Sequence, residues 1–277
     1  MREDLIKTMY KDGIPETKYK ILSWSGGIQS TTLAVMSAFG DLPPVDLLIY
    51  SDIGNEWNVV TEIMNTYREW FESKGMTVKT VRPEKNILDE IDEEIYIPAW
   101  TESGGPLSRA CVWRYKLRPI RWYLREYAGF HPTKAPHPKA NTFEMWLGMT
   151  TEEMRRTFPS LKKYIFHRYH LIEQNMSRND CFDYIRDKGL PIPPKTSCVI
   201  CPYRRAIEWA QIRDTSPKQW QQAIEIDHKI RHAMEGRRKG SNKIYLWKGK
   251  KPLDEVDLEA RAKTERDYDK IHREGLE

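Results

Sequence analysis

Long apolar runs are missing from this 277-residue chain. Nothing in it approaches the roughly 18 consecutive apolar residues that a membrane-spanning helix needs. Met1 to Tyr10 has no apolar core either, which argues against a secretory leader. An excess of one charge is lacking too: 45 basic against 40 acidic residues leave a formal net charge of +5. That balance permits nucleic-acid binding without demanding it. Cysteine is sparse, at 4 residues. In a chain of this size without a leader, so few cysteines point to metal or redox chemistry more than to a disulfide scaffold. The expected location is cytoplasmic. There is no internal repeat. What the chain does have is 39% hydrophobic residues, with 10 Trp and 14 Tyr, enough for a core in one large domain or one domain with an appendage.

The rest of the chain is organised around Tyr19 to Gly40. Ile21 and Leu22 read as the end of a buried strand, Thr31 to Phe39 as a helix packed on a sheet, and Gly40 as its stop. Between them lies Ser25-Gly26-Gly27-Ile28-Gln29-Ser30. Two glycines allow a sharp turn whose N–H groups converge on an anion, and the helix dipole adds partial positive charge. Ser25 and Ser30 would add hydroxyl donors. No Gly-Lys-Ser/Thr follows and no third glycine appears, so neither common nucleotide fingerprint is present. The bland alternative is a helix cap that contains two glycines.

Val45 to Ser51 reads as a second strand, ending in the polar turn Asp52-Ile53-Gly54-Asn55-Glu56. Trp57 to Lys74 has helical spacing, and Met76 to Val81 alternates as a third strand. This β-α-β-α-β order predicts a doubly wound, mostly parallel α/β sheet with helices on both faces. Further on, the sequence predicts a helix over Leu107–Tyr127, a proline-bearing loop over Phe130–Asn141 and a strand over Phe143–Met149. A helix from Ser177 to about Lys188 is capped by Ser177 with Asp180. Two more helices are expected near Tyr203–Arg213 and Pro217–Glu235, then a basic loop Gly236–Lys243, a short strand Ile244–Trp247 and a charged tail from Leu258. The expected division is a lead-in at 1–18, a nucleotide domain at 19–205 that includes the cysteines, a small helical extension with a short strand at 206–257, and a tail at 258–277.

Cys198-Val199-Ile200-Cys201 is a Cys-x-x-Cys turn whose spacing allows both thiolates to face one metal or cluster. Cys111 and Cys181 lie far away in sequence, each near a proposed strand end. Cys181 falls in the first turn of its helix, where the dipole favours thiolate. Four thiolates would hold a [4Fe–4S] cluster or zinc; three would hold a cluster with one open iron. A redox pair at Cys198 and Cys201 and a small core residue at Cys181 are the plain alternatives.

Five segments in order resemble the PP-loop ATP pyrophosphatases of the adenine nucleotide α-hydrolase (HUP-like) superfamily, especially the phosphoadenosine phosphosulfate (PAPS) reductase-like branch. Ser25–Ser30 is similar to Ser-Gly-Gly-x-Asp-Ser. Ser51-Asp52-Ile53-Gly54 is similar to the Asp-Thr-Gly turn, and Cys111 to Pro119 to Cys-x-x-x-x-Lys-x-x-Pro. Gly148 to Arg156 parallels Gly-x-Arg-x-x-Glu-Ser-x-x-Arg, and Leu171 to Cys201 follows Pro-Leu, helix, Gly-Leu-Pro, Cys-x-x-Cys. Gln29 departs from the family's aspartate and Thr150 from its arginine. No cysteine follows Cys201, so the late nucleophile of sulfonucleotide reductases is absent.

The resemblance implies ATP held by Ser23, Ser25, Gly26, Gly27, Ile28, Gln29, Ser30, Asp52, Gly54 and Gly148. Lys116, Arg118, Arg155 and Arg156 would clamp phosphates, with Ser25, Lys116 and Arg155 nearest the chemistry. It further implies Mg2+, cleavage to AMP and pyrophosphate as an acceptor is adenylated, and sulfur delivery through an iron–sulfur site on Cys111, Cys181, Cys198 and Cys201. A sulfur donor such as a cysteine desulfurase would be needed, and a homodimer is left open. Trp113 to Tyr123 interleaves basic and aromatic residues. With Arg237, Arg238 and Lys239 it would track a nucleic-acid acceptor, tRNA or DNA; a helix with a buried aromatic face reads equally well. The competing functions are a small-molecule PAPS or APS reductase-like enzyme and a non-catalytic, zinc-stapled nucleotide-binding module.

Overall fold

Tyr19–Ser23 (β1) is the middle strand of a five-stranded parallel sheet in the computed structural model, which describes residues 10–236 and 243–264. On one side of β1 lie Leu47–Ser51 (β2) and Val78–Val81 (β3). On the other lie Phe143–Trp146 (β5) and Ile165–Arg168 (β6). Every pairing is parallel. All residues of β2 and β5 are buried, as expected of central strands covered on both faces. The doubly wound α/β architecture expected from the sequence is therefore present. β6 is the strand the sequence pattern does not announce. It is four residues long and follows Lys162-Lys163, so alternation has no length in which to register.

The helices follow from local chemistry. Ile28–Phe39 (α1) leaves β1 and stops at Gly40, whose left-handed backbone (φ 82°) returns its N–H to the Met36 and Ser37 carbonyls. Asn58–Ser73 (α2) buries Val60, Met64, Tyr67 and Phe71, whereas Ile63 and Trp70, expected on the same face, are only half-buried. The helix expected over Leu107–Tyr127 begins only at Ala110. It winds as a π-helix over Val112–Leu117 before becoming α-helical at Arg118–Tyr127 (α3). Pro119 has no N–H for the Tyr115 carbonyl, so the α ladder is interrupted there. His170–Glu173 (α4) is a single turn. Arg178–Asp187 (α5) carries the expected capping box between Ser177 and Asp180.

Two compact units result. Unit 1 comprises the chain up to Asp52, Val59–Arg82 and Leu117–Thr196. It contains the parallel sheet. One sheet face meets α3 in a core of Ile21, Leu47, Ile49, Val81, Ile120, Leu124, Phe143, Met145, Tyr164 and Ile165. The neighbouring residues Leu22, Leu48 and Tyr50 are buried toward the opposite face, where α1 packs with α5.

Unit 2 comprises Ile53–Asn58, Pro83–Lys116 and the chain from Ser197. It contains Trp100–Thr101 (β4), antiparallel to Ile244–Tyr245 (β7), and the helices Ala206–Thr215 (α6) and Pro217–Ile230 (α7). A buried Asp227 on α7 accepts the N–H groups of Leu246 (2.6 Å) and Leu253 (3.0 Å) and pairs with Arg231, fastening that end of the unit. Residues 258–264 of the expected tail are helical; the rest, the basic loop residues Arg237, Arg238 and Lys239, and the first nine residues lie outside the described residues. Among the described residues no helix is long and apolar enough to cross a membrane.

Candidate functional site

The chain runs from β1 outward to β2 and β3, then returns to the other side of β1 for β5 and β6. The loops leaving β1 and β5 therefore diverge at a topological switch point, where open α/β sheets form a crevice at the strands' carboxyl ends. The Ser25–Ser30 loop leaves β1, and Gly148–Arg156 follows β5.

In the first loop Gly26 takes the left-handed conformation (φ 73°). A Cβ there would stand 2.5 Å from the Met64 sulfur. Gly26 is buried against that side chain, so it makes the turn from within, whereas Gly27 is half-buried and Ser25 exposed. Gly27 is the extended N-cap of α1, and no side chain caps the helix. The first-turn N–H groups thus lack intrahelical acceptors, and the dipole's positive end is presented at Gly27, Ile28 and Gln29. The Ile28 side chain is buried in the core. The Ser30 hydroxyl accepts the Ser25 N–H (3.1 Å), donates to the Gly27 carbonyl (3.2 Å) and lies 3.1 Å from the Ser25 hydroxyl, so it braces the loop, while Ser25 itself is exposed. Ser23, at the end of β1, is half-buried.

Gly148 passes directly over the first turn of α1. A Cβ on it would lie 2.7 Å from the Ser30 nitrogen and 3.0 Å from the Gln29 carbonyl carbon, so only glycine fits. Beyond it, the two departures from the family pattern meet. The Gln29 amide donates to the Thr150 hydroxyl at 3.1 Å and to the Glu153 carboxylate at 2.5 Å. Glu153 also pairs with Arg156, so Arg156 is tied within this turn, while Arg155 is exposed on it. Asp52, at the end of β2, pairs with Arg82 at 2.9 Å. Arg118 stacks on Trp122, 4.6 Å from the ring centre. Sequence reasoning passed over Glu153 and Thr196, whose hydroxyl would sit 3.1 Å from a Cβ on Gly27. Neither carries a local signal, because each meets the loop only through the fold.

In unit 2 the thiols of Cys111, Cys198 and Cys201 interact in sequence. Cys198 shares a hydrogen bond with Cys201, which with burial raises its thiol well above the ordinary range. Burial and the nearby Cys201 raise Cys111 as well, while Lys116 pulls both Cys111 and Cys198 back down. Lys116 thus stands electrostatically beside the thiols. Two further groups at this place were not foreseen. Buried Arg204 donates to the carbonyls of Ser197 (2.6 Å) and Cys198 (3.0 Å), holding the Cys-x-x-Cys turn, and Glu56 lies near enough to raise Cys198 further. Gly54 (φ 75°) lies against Asn86, where its absent Cβ would be 3.2 Å away. None of the four cysteines forms a disulfide. Among the described residues no group of three His, Cys, Asp or Glu closes into a ready metal site. Cys201 is the thiol close enough to act on both Cys111 and Cys198.

Cys181 behaves differently. In unit 1 it is fully buried between α5 and α1, with Thr32 donating to its carbonyl at 3.4 Å, and burial pushes the thiol up to about 12. The thiolate expected from the helix dipole is not favoured, because desolvation outweighs a fraction of a charge. The basic and aromatic stretch at 113–123 is also mostly engaged. Arg114 forms a bidentate pair with Glu90, Tyr115 is buried with its hydroxyl on Glu90, and burial depresses the Arg121 guanidinium.

No family model matches the chain, and no curated protein matches it in sequence. Among solved structures it is similar to the U34-tRNA thiolase NcsA from Methanococcus maripaludis with its [4Fe-4S] cluster, at a TM-score of 0.38 and 11% identity, over 82% of this chain and 79% of that one. A likeness this loose carries no weight for activity, which has to be read from the residues of this chain.

Proposed function

We propose that the chain is an ATP pyrophosphatase that adenylates an acceptor, releasing pyrophosphate, and serves sulfur transfer to a nucleic acid. The observation that carries the reading is the meeting of the glycine loop after β1 with the Gly148 turn after β5 at the sheet's switch point. Uncapped N–H groups at Gly27, Ile28 and Gln29 bind the triphosphate, and the Ser25 hydroxyl donates to it. Ser30 keeps the loop in shape, and Gly148 lets the second turn lie against it. Arg155 and Arg118 offset charge that develops as the α–β phosphate bond breaks. Mg2+ would be needed to neutralise the leaving pyrophosphate. An acceptor oxygen attacks the α-phosphorus, and AMP is then displaced from that acceptor by sulfur.

Cys111, Cys198 and Cys201 are the proposed ligands of a [4Fe–4S] cluster with one open iron, which when bound would activate sulfide. Arg204 orients the Cys-x-x-Cys turn for them, and Lys116 favours their thiolates. Cys181, enclosed in the other unit, is left out of this ligand set. The sulfur donor would be a cysteine desulfurase or its equivalent. Anaerobic purification with iron and sulfide analysis, followed by a pyrophosphate-release screen against tRNA, DNA and small sulfated nucleotides, tests the reading. Iron with sulfide, and pyrophosphate release stimulated by tRNA or DNA, support it. Zinc in place of iron with no cleavage of ATP supports the binding module, and sulfite release from a sulfated nucleotide supports the reductase.

A further inference from the structure

The segment that follows the Gly148 turn is an arm, 157–163, that comes back to the sheet as β6. It displays two large apolar side chains to solvent, Phe158 at 53% exposure and Leu161 at 87%. The main chain at Phe158 is tied to the sheet. The Tyr169 hydroxyl donates to the Phe158 carbonyl at 2.8 Å and accepts the Phe158 N–H at 3.2 Å. His167 Nδ1 lies 3.0 Å from the same carbonyl, which fixes the Nδ1–H tautomer because a carbonyl only accepts. Burial keeps His167 below its usual value, with Arg121 adding to the effect, so the ring stays neutral. The Phe158 ring stands edge-on to the His167 ring at 5.7 Å.

A buried tyrosine and a half-buried histidine therefore hold the main chain beneath one exposed phenyl ring, which the histidine ring meets edge-on. Beside it lie the exposed Lys162 and Lys163 and a cavity of about 310 Å³, lined by both lysines with Phe158, Pro159, His167 and Tyr169. An exposed aromatic face on an anchored backbone, next to two cations, matches alternating bases and phosphates. A base stacks on the ring, and the lysines take the adjoining phosphates. A duplex offers no open base face to such a ring, so the complementary partner is single-stranded.

We propose that Phe158, supported by His167 and Tyr169 and flanked by Lys162 and Lys163, is a stacking platform for a single-stranded segment of nucleic acid. This names the acceptor-binding surface of the proposed function and rests on that reading for its purpose, but its binding does not require ATP. The surface expected from the sequence, 113–123, is less suited to the task, because its Arg114 is engaged with Glu90 and its Tyr115 is buried.

The test is fluorescence anisotropy with a labelled single-stranded RNA and a duplex of equal length, across a salt series. Full-length protein is compared with Phe158→Ala, Phe158→Trp and the double variant Lys162→Gln/Lys163→Gln. The single strand should bind more tightly than the duplex. Phe158→Ala should weaken it about tenfold and Phe158→Trp should restore it, with melting temperatures unchanged because the ring is at the surface. The lysine variant should flatten the salt dependence by about 0.7 log units per log unit for each phosphate no longer neutralised. Equal binding by wild type and Phe158→Ala, or no preference for the single strand, overturns the proposal. ATP cleavage measured on the same proteins separates the two ideas. Oligonucleotide binding at Phe158 without any AMP formation sinks the proposed reaction alone, and AMP formation with binding indifferent to Phe158 sinks the platform alone.

Discussion

At Gly148 a single methyl group decides whether two loops can touch. Its Cβ would lie 2.7 Å from the Ser30 nitrogen, a backbone atom that cannot rotate away. Gly148→Ala should lower stability by about 1–3 kcal/mol through overpacking and weaken ATP binding more than it weakens nucleic-acid binding. Calorimetric melting and equilibrium ATP binding on the same variant check this. Gln29 makes the matching case. Its neutral amide is what allows the Glu153 carboxylate to sit 2.5 Å away. Gln29→Glu would set two carboxylates against each other, and repulsion raises the pKa of such a pair. The variant should melt below wild type at neutral pH, and the deficit should shrink on acidification as one of them takes up a proton. A deficit independent of pH would contradict the contact. The sequence marked both Gln29 and Thr150 as departures, but not that they meet, because 121 residues separate them.

Elements were legible where their signals are local. The Ser177–Asp180 capping box spans four residues and appears as expected. The β1-turn-α1 unit, carried by its glycines, does too. β6 was not legible, because a four-residue strand beside two lysines has no period to read. The helix around Cys111 starts at Ala110 rather than Leu107, and Pro119, by removing the partner of the Tyr115 carbonyl, changes its winding without ending it.

That helical segment is anchored by Arg114 on Glu90, a pairing that with the Tyr115 hydroxyl lowers the Glu90 carboxyl from 4.5 to about 2. A depressed carboxyl stabilises the fold above its unfolded value and loses that contribution as pH falls through the folded one. Glu90→Gln should therefore destabilise the apoprotein by about 2 kcal/mol at neutral pH, less than the full linkage value because Arg114 is partly exposed. The gap from wild type should close between pH 4.5 and about 2 in melts followed across that range.

For the whole molecule, composition settled little beyond the absence of long apolar runs; order of motifs settled more. The alternation of strands and helices gave the sheet, but not that the chain interleaves two compact units, with Cys111, Cys198 and Cys201 in one and Cys181 in the other. A cysteine's number says nothing about which unit encloses it. Cys181 is fully buried in the first unit, whereas the other three are half-buried in the second. If the gathered thiols hold a cluster, Cys111→Ser, Cys198→Ser and Cys201→Ser should each strip iron from anaerobically prepared protein, whereas Cys181→Ser should cost stability and leave the iron content intact. Iron lost equally from all four variants would return Cys181 to the ligand set.

The most direct measurement follows the fate of ATP labelled at its α-phosphate, incubated with the full-length protein, Mg2+ and tRNA or DNA. Labelled AMP, or label carried on the nucleic acid with pyrophosphate released, is the predicted outcome, lost in Gly148→Ala. Labelled ADP, or ATP left whole with every acceptor, would contradict it.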